Sequence, residues 1–131
     1  MATEKDPRKR GVLFCTCSGT CPGMAKIDFW ALVERLRIEF EDQIELLALH
    51  PRLCEADGER LMGRVLSDDL LVITSACVEK RQEKLLRDGF AKAGVPMDKA
   101  HWLPVSMAME DTEAVFQKLA RALAQAPASE S

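Results

Sequence analysis

An unbroken apolar run at positions 70–73, within the segment DLLVITS at 69–75, most constrains the fold of this chain. A strand that is apolar at every position suits burial on both faces, which is typical of a parallel sheet covered by helices. Parallel strands need long crossover connections, usually α-helices. The run therefore predicts that the rest of the chain alternates strands with helical segments.

The sequence on either side of the run does alternate in this way. Four segments have the composition of strands, and four have apolar residues at helical spacing. The predicted strands are 11–16, 43–49, 69–75 and 100–105, and the predicted helices are 28–40, 56–66, 80–93 and 109–124. We therefore predict a single α/β domain of order βαβαβαβα, with a four-stranded parallel sheet, helices on both faces and a Rossmann- or flavodoxin-like winding. In a chain of 131 residues, this domain is expected to cover 11–124, between flexible tails at 1–10 and 125–131.

Single residues predict the environment of several segments. Asp28 suits the N-cap of the first helix, because its carboxylate can accept a hydrogen bond from an N–H group of the first turn. Pro104 lacks an N–H group and favours an edge position for the fourth strand. Trp30 is expected to pack in the core, and His50 and His101 are expected to be structural side chains rather than metal ligands.

Three of the five cysteines come at the ends of predicted strands. Cys15 ends the apolar part of the first strand, Cys54 lies in the loop after the second, and Cys77 follows the third. Because parallel strands have their carboxyl ends at one edge, where open α/β sheets bind ligands, we expect these three side chains to meet there. Cys17 and Cys21 lie in the glycine-rich loop next to Cys15. In a reducing compartment, such cysteines indicate metal or redox chemistry rather than disulfides.

The cysteines alone leave three functions open. Four converging thiolates can hold an iron–sulfur cluster, which would make the protein an electron-transfer component. The same thiolates can hold a tetrahedral zinc ion, as in a structural module that binds partners. Alternatively, Cys15 and Cys17 can act as nucleophilic thiols in disulfide or persulfide exchange. The spacing of the cysteines does not distinguish these functions.

The cysteine pattern resembles that of the N-terminal iron–sulfur domain in the flavin-containing subunit of heterodisulfide reductase. The similar features are the segment CTC at 15–17 after an apolar strand, the lone Cys54 after the second strand, and the segment SAC at 75–77 after the third. The resemblance covers roughly 11–104 and implies a [4Fe-4S] cluster. Carried over by position, the ligands it implies are Cys15, Cys17, Cys54 and Cys77.

Two departures from the family pattern affect the fourth ligand. Cys17 is followed by Ser18 before the glycine of the family opening, and Cys21 is additional, so Cys21 is an alternative fourth ligand. The full family protein also has a flavin domain and ferredoxin-like inserts, which this sequence lacks, and this difference implies a stand-alone cluster module. The small iron–sulfur subunit that links hydrogenases to heterodisulfide reductase is a related family, and it would imply a [2Fe-2S] cluster.

The resemblance implies a non-catalytic relay within a redox complex. The expected partners are a flavoprotein and other iron–sulfur subunits, and the apolar side chains Met24, Leu53 and Val78 near the site are candidates for a docking surface. The net charge of −3 and the lack of a basic stripe predict no binding to nucleic acid. The polar start of the chain and the lack of a long apolar stretch predict a cytoplasmic protein that does not enter a membrane.

Overall fold

A computed structural model describes residues 9–17 and 22–124 of the chain. Strands and helices alternate along it, and all four strands pair in parallel in one sheet. The strands are β1 (Lys9–Cys15), β2 (Leu46–His50), β3 (Leu70–Ala76) and β4 (Trp102–Ser106). The helices are α1 (Phe29–Glu39), α2 (Ala56–Val65), α3 (Glu79–Ala93) and α4 (Thr112–Ala124). The predicted α/β class, parallel sheet and order of elements are therefore confirmed.

The strand order in the sheet is β2-β1-β3-β4. The chain moves outward from β1 to β2 and then returns across β1 to β3, so the winding reverses between β1 and β3. In open parallel sheets the crevice at such a reversal, outside the carboxyl ends of the strands, is the usual ligand site. Here the end of β1 pairs with β2 through Cys15 and His50, and with β3 through Phe14 and Ser75.

Side chains alternate along β1 and so build a core on each face of the sheet. Val12 and Phe14 pack into the cluster under α1 and α4, whereas Leu13 and Cys15 pack into the cluster under α2 and α3. β3 is buried at every residue, as its apolar run predicts. Because the four strands of this helix-covered sheet are parallel, their carboxyl ends all lie at one edge.

Several element boundaries differ from the prediction. β1 begins at Lys9, whose N–H donates to the carbonyl of Asp69 at 3.1 Å, so the domain starts two residues earlier than expected. β2 begins at Leu46 rather than at position 43, because the N–H groups of Gln43 and Ile44 still bond to the end of α1. Of the predicted tails at 1–10 and 125–131, Lys9 and Arg10 belong to β1, and residues 1–8 and 125–131 lie outside the described residues.

The fourth strand and helix also begin later than predicted. His101 precedes β4 rather than lying within the strand. α4 begins at Thr112 instead of position 109, because the carboxylate of Asp111 accepts the N–H of Ala114 at 2.8 Å and caps the helix there. β4 is an edge strand, as Pro104 predicts.

Of the two residues with predicted roles in α1, Asp28 is placed as expected and Trp30 is not. Asp28 is the N-cap of α1 and accepts the N–H of Ala31 at 3.0 Å, as predicted. Trp30 does not pack in the core: it is 76% exposed. Leu32 and Leu36 face the sheet, and Trp30 lies outside this buried face, because it is two residues from Leu32 on a helix of 3.6 residues per turn.

Both histidines have structural hydrogen bonds. The Nδ1 atom of His50 accepts the N–H of Arg52 at 2.9 Å. The ring of His101 is buried, with Nδ1 at 2.6 Å from the carboxylate of Asp98 and Nε2 at 3.1 Å from that of Asp68. The hydrogen bond from His101 lowers the pKa of Asp98. These contacts fit the structural roles expected for both histidines.

Candidate cysteine site at the carboxyl edge

Cysteines from three loops lie at the carboxyl edge of the sheet. Cys15 is the last residue of β1, Cys77 directly follows β3, and Cys54 lies between β2 and α2. Cys15 and Cys77 therefore flank the reversal in strand order. The structure brings these three residues to the edge where the sequence placed them.

The three thiols share one electrostatic environment. Burial raises the pKa of the Cys54 thiol, and negative charge on Cys15 raises it further. Burial also raises the pKa of Cys77, and charge on Cys15 and Cys54 adds to this effect, while Arg81 opposes it. These effects arise because the three thiols lie on loops at the same edge of the sheet.

The end of β1 is tied to the loop that carries Cys54. The Sγ atom of Cys15, which is buried, donates a weak hydrogen bond to the carbonyl of Pro51 at 3.8 Å. Cys17 is half-buried and packs against the cores of both faces of the sheet. Its φ of 52° is left-handed, a conformation that costs a non-glycine residue of order 1–3 kcal/mol and often occurs at functional sites. Cys21 lies outside the described residues.

A buried glutamine, which the sequence analysis missed, holds the backbone at Cys77. The side-chain Nε2 of Gln82 donates to the carbonyl of Cys77 at 2.6 Å and to that of Val105 at 3.0 Å. Its Oε1 accepts the hydroxyl of Thr74 at 2.6 Å, and Thr74 also accepts the indole N–H of Trp102. The sequence does indicate this burial, because Gln82 lies four and eight positions before the core residues Leu86 and Phe90, on the same face of α3.

A close approach of backbones, also missed, fixes the Cys54 loop. Gly58 is buried in α2, and a Cβ atom on it would overlap the carbonyl of Arg52 and the backbone of Leu53. Only glycine allows α2 to lie this close to the residues just before Cys54. The loop before Cys54 is therefore held by the close approach of α2 and by the hydrogen bond from Cys15 to Pro51.

The four described cysteines supply suitable donors for an iron–sulfur cluster, but their side chains do not form a ready single-ion site. In residues 9–17 and 22–124, no group of three or more His, Cys, Asp or Glu side chains is placed to hold one metal ion. A zinc site needs its sulfurs about 2.3 Å from one centre.

The apolar surface near the site differs from the one expected. Met24 and Leu53 are buried, because Met24 packs under α1 and α4 and Leu53 packs under α2, so these two docking candidates were wrong. Val78 is 48% exposed, as a docking residue should be. Met109, after β4, is also exposed, and its N–H donates to the carbonyl of Gly23 at 2.6 Å.

An open groove of about 1010 Å³ lies at the carboxyl ends of β1 and β2. Its walls are Thr16, the segment 25–30 leading into α1, and the segment 49–51 at the end of β2. The groove is next to the Cys15 end of the candidate site and is bordered by the exposed indole of Trp30.

Comparison with protein-family models and with curated proteins finds no match for this chain. Among the described helices, none has the length and apolar character needed to cross a membrane.

The raised pKa values of Cys54 and Cys77 predict a loss of stability in alkaline solution. In the unfolded chain these thiols ionise near their ordinary pKa of 9.0, whereas in the folded, reduced and metal-free protein they ionise at higher pH. The unfolded state then binds fewer protons, so stability is intact below the unfolded pKa and falls as the pH rises through the folded pKa. Urea denaturation over a pH series should show this fall. The double variant Cys54→Ser, Cys77→Ser should show a flatter profile, and an equal slope in both proteins would contradict the assignment.

Proposed function

We propose that this protein is an electron-transfer iron–sulfur subunit of a cytoplasmic, heterodisulfide-reductase-like redox complex. A [4Fe-4S] cluster would be held by Cys15, Cys54, Cys77 and either Cys17 or Cys21. The observation that carries the proposal is the meeting of cysteines from three separate loops at the carboxyl edge, on both sides of the reversal in strand order. The resemblance to the family domain supports the same cofactor and favours Cys17 as the fourth ligand.

When bound, the cluster would supply one-electron transfer between partner proteins. The residues of the chain have supporting roles. Gln82 fixes the carbonyl of Cys77, and the start of α3 directly after Val78 directs a positive helix end toward this cysteine. Arg52 and Arg81 oppose the pKa increases at Cys54 and Cys77, so they favour the thiolate forms that metal binding requires.

A free-standing thiol enzyme has less support. Nucleophilic cysteines have lowered pKa values and exposed sulfurs. Of the pair Cys15 and Cys17, which this function would use, Cys15 is only 6% exposed. A structural zinc module would use the same thiolates, and it is distinguished from the cluster by the metal that co-purifies with the protein.

Anaerobic purification followed by iron and sulfide analysis tests the cofactor. We expect about four iron and four sulfide ions per chain and a brown protein with charge-transfer absorbance. Colourless protein with stoichiometric zinc, or metal-free protein with a reactive thiol, would refute the proposal.

Single serine variants test the ligands. Cys15→Ser, Cys54→Ser and Cys77→Ser should each lose the cluster, because each removes a thiolate from a different wall of the site. Cys17→Ser and Cys21→Ser are matched controls for one another, since only one of them should behave like the other three. Retention of the cluster in Cys54→Ser or Cys77→Ser would contradict the predicted site.

Co-purification under anaerobic, low-salt conditions tests the relay role. We expect a flavoprotein or a second iron–sulfur protein to remain attached to the full chain. Recovery of a monomer that reduces a disulfide substrate by itself would favour the thiol enzyme instead.

A further inference from the structure

The two edges of the sheet differ in how they meet solvent. At the β4 edge, the backbone N–H and C=O groups of Trp102, Pro104 and Ser106 point away from the sheet. Those of the residues between them bond to β3. The N–H of Trp102 donates to Asp98, Pro104 has no N–H group, and the carbonyl of Ser106 accepts the amine of Lys118 at 3.0 Å. An incoming strand would find no donor at the middle of this edge, which is a common protection against strand pairing.

In the part of the chain that the structure describes, the β2 edge has no such protection. The carbonyl of His50 accepts the N–H of Thr16 at 3.1 Å, so the backbone groups of His50 point toward β1. Because these groups alternate along a strand, those of Leu47 and Leu49 point outward. Within residues 9–17 and 22–124, the outward N–H and C=O groups of these two leucines have no hydrogen-bond partner. The strand sequence LLALH contains neither proline nor lysine. An apolar edge of this kind is a template for pairing with another strand.

Helix α1 presents two exposed side chains above this edge. Arg35 contacts α4 through Glu113 at 2.7 Å, so that side of α1 faces the middle of the sheet. Trp30 and Arg37 lie roughly opposite on the helix, toward β2. Trp30 borders the groove together with Leu49, which confirms that it stands over the β2 end of the sheet.

We propose that a second copy of this chain pairs with β2 in an antiparallel, two-fold symmetric dimer centred on Ala48. Leu47 of each copy then exchanges both backbone hydrogen bonds with Leu49 of the other copy. The two four-stranded sheets become one continuous sheet. Above it, the indole of Trp30 meets the guanidinium of Arg37 of the other copy, a cation–π contact made twice by symmetry.

The geometry favours a second copy over an unrelated strand, because a single two-fold axis can relate both the two β2 strands and the two α1 helices above them. Trp30 and the end of β2 line the same groove, which places them at the same end of the sheet. Ala48 is two strand residues back from His50, roughly 7 Å along the sheet. The same distance along α1, which runs antiparallel to the strands, is about four to five residues and reaches Glu34. This is within one residue of the midpoint between Trp30 and Arg37, so one axis can serve the strand pair and the helix pair.

Sedimentation equilibrium of the full chain over a concentration series tests the dimer. We expect a mass twice that of one chain and, for Trp30→Ala, a dimer dissociation constant raised about tenfold or more. Ile38→Ala is the matched control: Ile38 is also exposed on α1, but three residues after Arg35 it lies nearer the side that faces α4, so its removal should leave the dissociation constant unchanged. Neither variant removes a buried side chain.

A backbone variant tests the strand pairing directly. Leu49→Pro removes an outward N–H group without removing a hydrogen bond to β1, and it should leave a folded monomer by circular dichroism. A wild-type protein that is monomeric at all concentrations would overturn the proposal. So would a dimer that tolerates Trp30→Ala and Leu49→Pro but is broken by Ile38→Ala. The proposal does not depend on the iron–sulfur cluster, and metal-free protein gives the same readout.

Discussion

Gly58→Ala is expected to destabilise the protein by about 3 kcal/mol or more. The added methyl group would overlap the carbonyl of Arg52 and the backbone of Leu53, and backbone atoms cannot move aside as a flexible side chain can. Relief requires α2 or the adjacent loop to shift. Because the loop leads directly into Cys54, the same variant should also lower the yield of the bound cluster. Urea denaturation of the metal-free protein measures the first effect, and iron content after reconstitution measures the second.

Gly63→Ala is the matched control on the same helix. A Cβ atom at Gly63 meets nothing within 4 Å, so this change only replaces glycine by a better helix former. It should stabilise the protein by about 0.5–1 kcal/mol. Equal effects of the two substitutions would show that helix propensity, and not the close approach at Gly58, decides the outcome.

The sequence was sufficient to predict the architecture, because its signals are local. The apolar run of β3 indicated a strand buried on both faces, and the alternation of periodicities gave the order of elements. Strand polarity then brought Cys15, Cys54 and Cys77 to one edge without any knowledge of side-chain contacts. These inferences need only the direction of each strand, and small errors in element boundaries do not change them.

The features that hold the site could not be predicted in the same way, because they arise between segments distant in sequence. Gln82 bonds to Val105, 23 residues away, and its burial is visible only once α3 lies on the sheet. Gly58 is an unremarkable helical glycine until α2 approaches the loop before Cys54. Trp30 was misplaced because α1 carries apolar residues on several sides, including the exposed Ile38, so its periodicity does not define the buried face.

Gln82→Met should destabilise the protein by about 2 kcal/mol or more. Methionine has nearly the shape of glutamine, so packing is retained and the loss reflects hydrogen bonding alone. The carbonyl of Cys77 loses its donor and the hydroxyl of Thr74 loses its acceptor, whereas the carbonyl of Val105 keeps its place in the ladder with β3. Each of the two groups left unsatisfied in this buried network costs roughly 1–3 kcal/mol. The denaturant midpoint of the metal-free protein should fall accordingly.

Gln117→Met on α4 is the control, because the amide of Gln117 bonds only to exposed Glu113 at 2.8 Å and its loss should cost less than about 0.5 kcal/mol. A second readout separates the effect on the site from general instability. Without its donor, the Cys77 carbonyl no longer fixes the start of the loop, so Cys77 should react faster with a thiol reagent under native conditions. Peptide-level mass spectrometry can compare this rate with that of Cys15. If both cysteines accelerate equally, Gln82 stabilises the whole domain; selective acceleration at Cys77 shows that it positions this corner of the cysteine site.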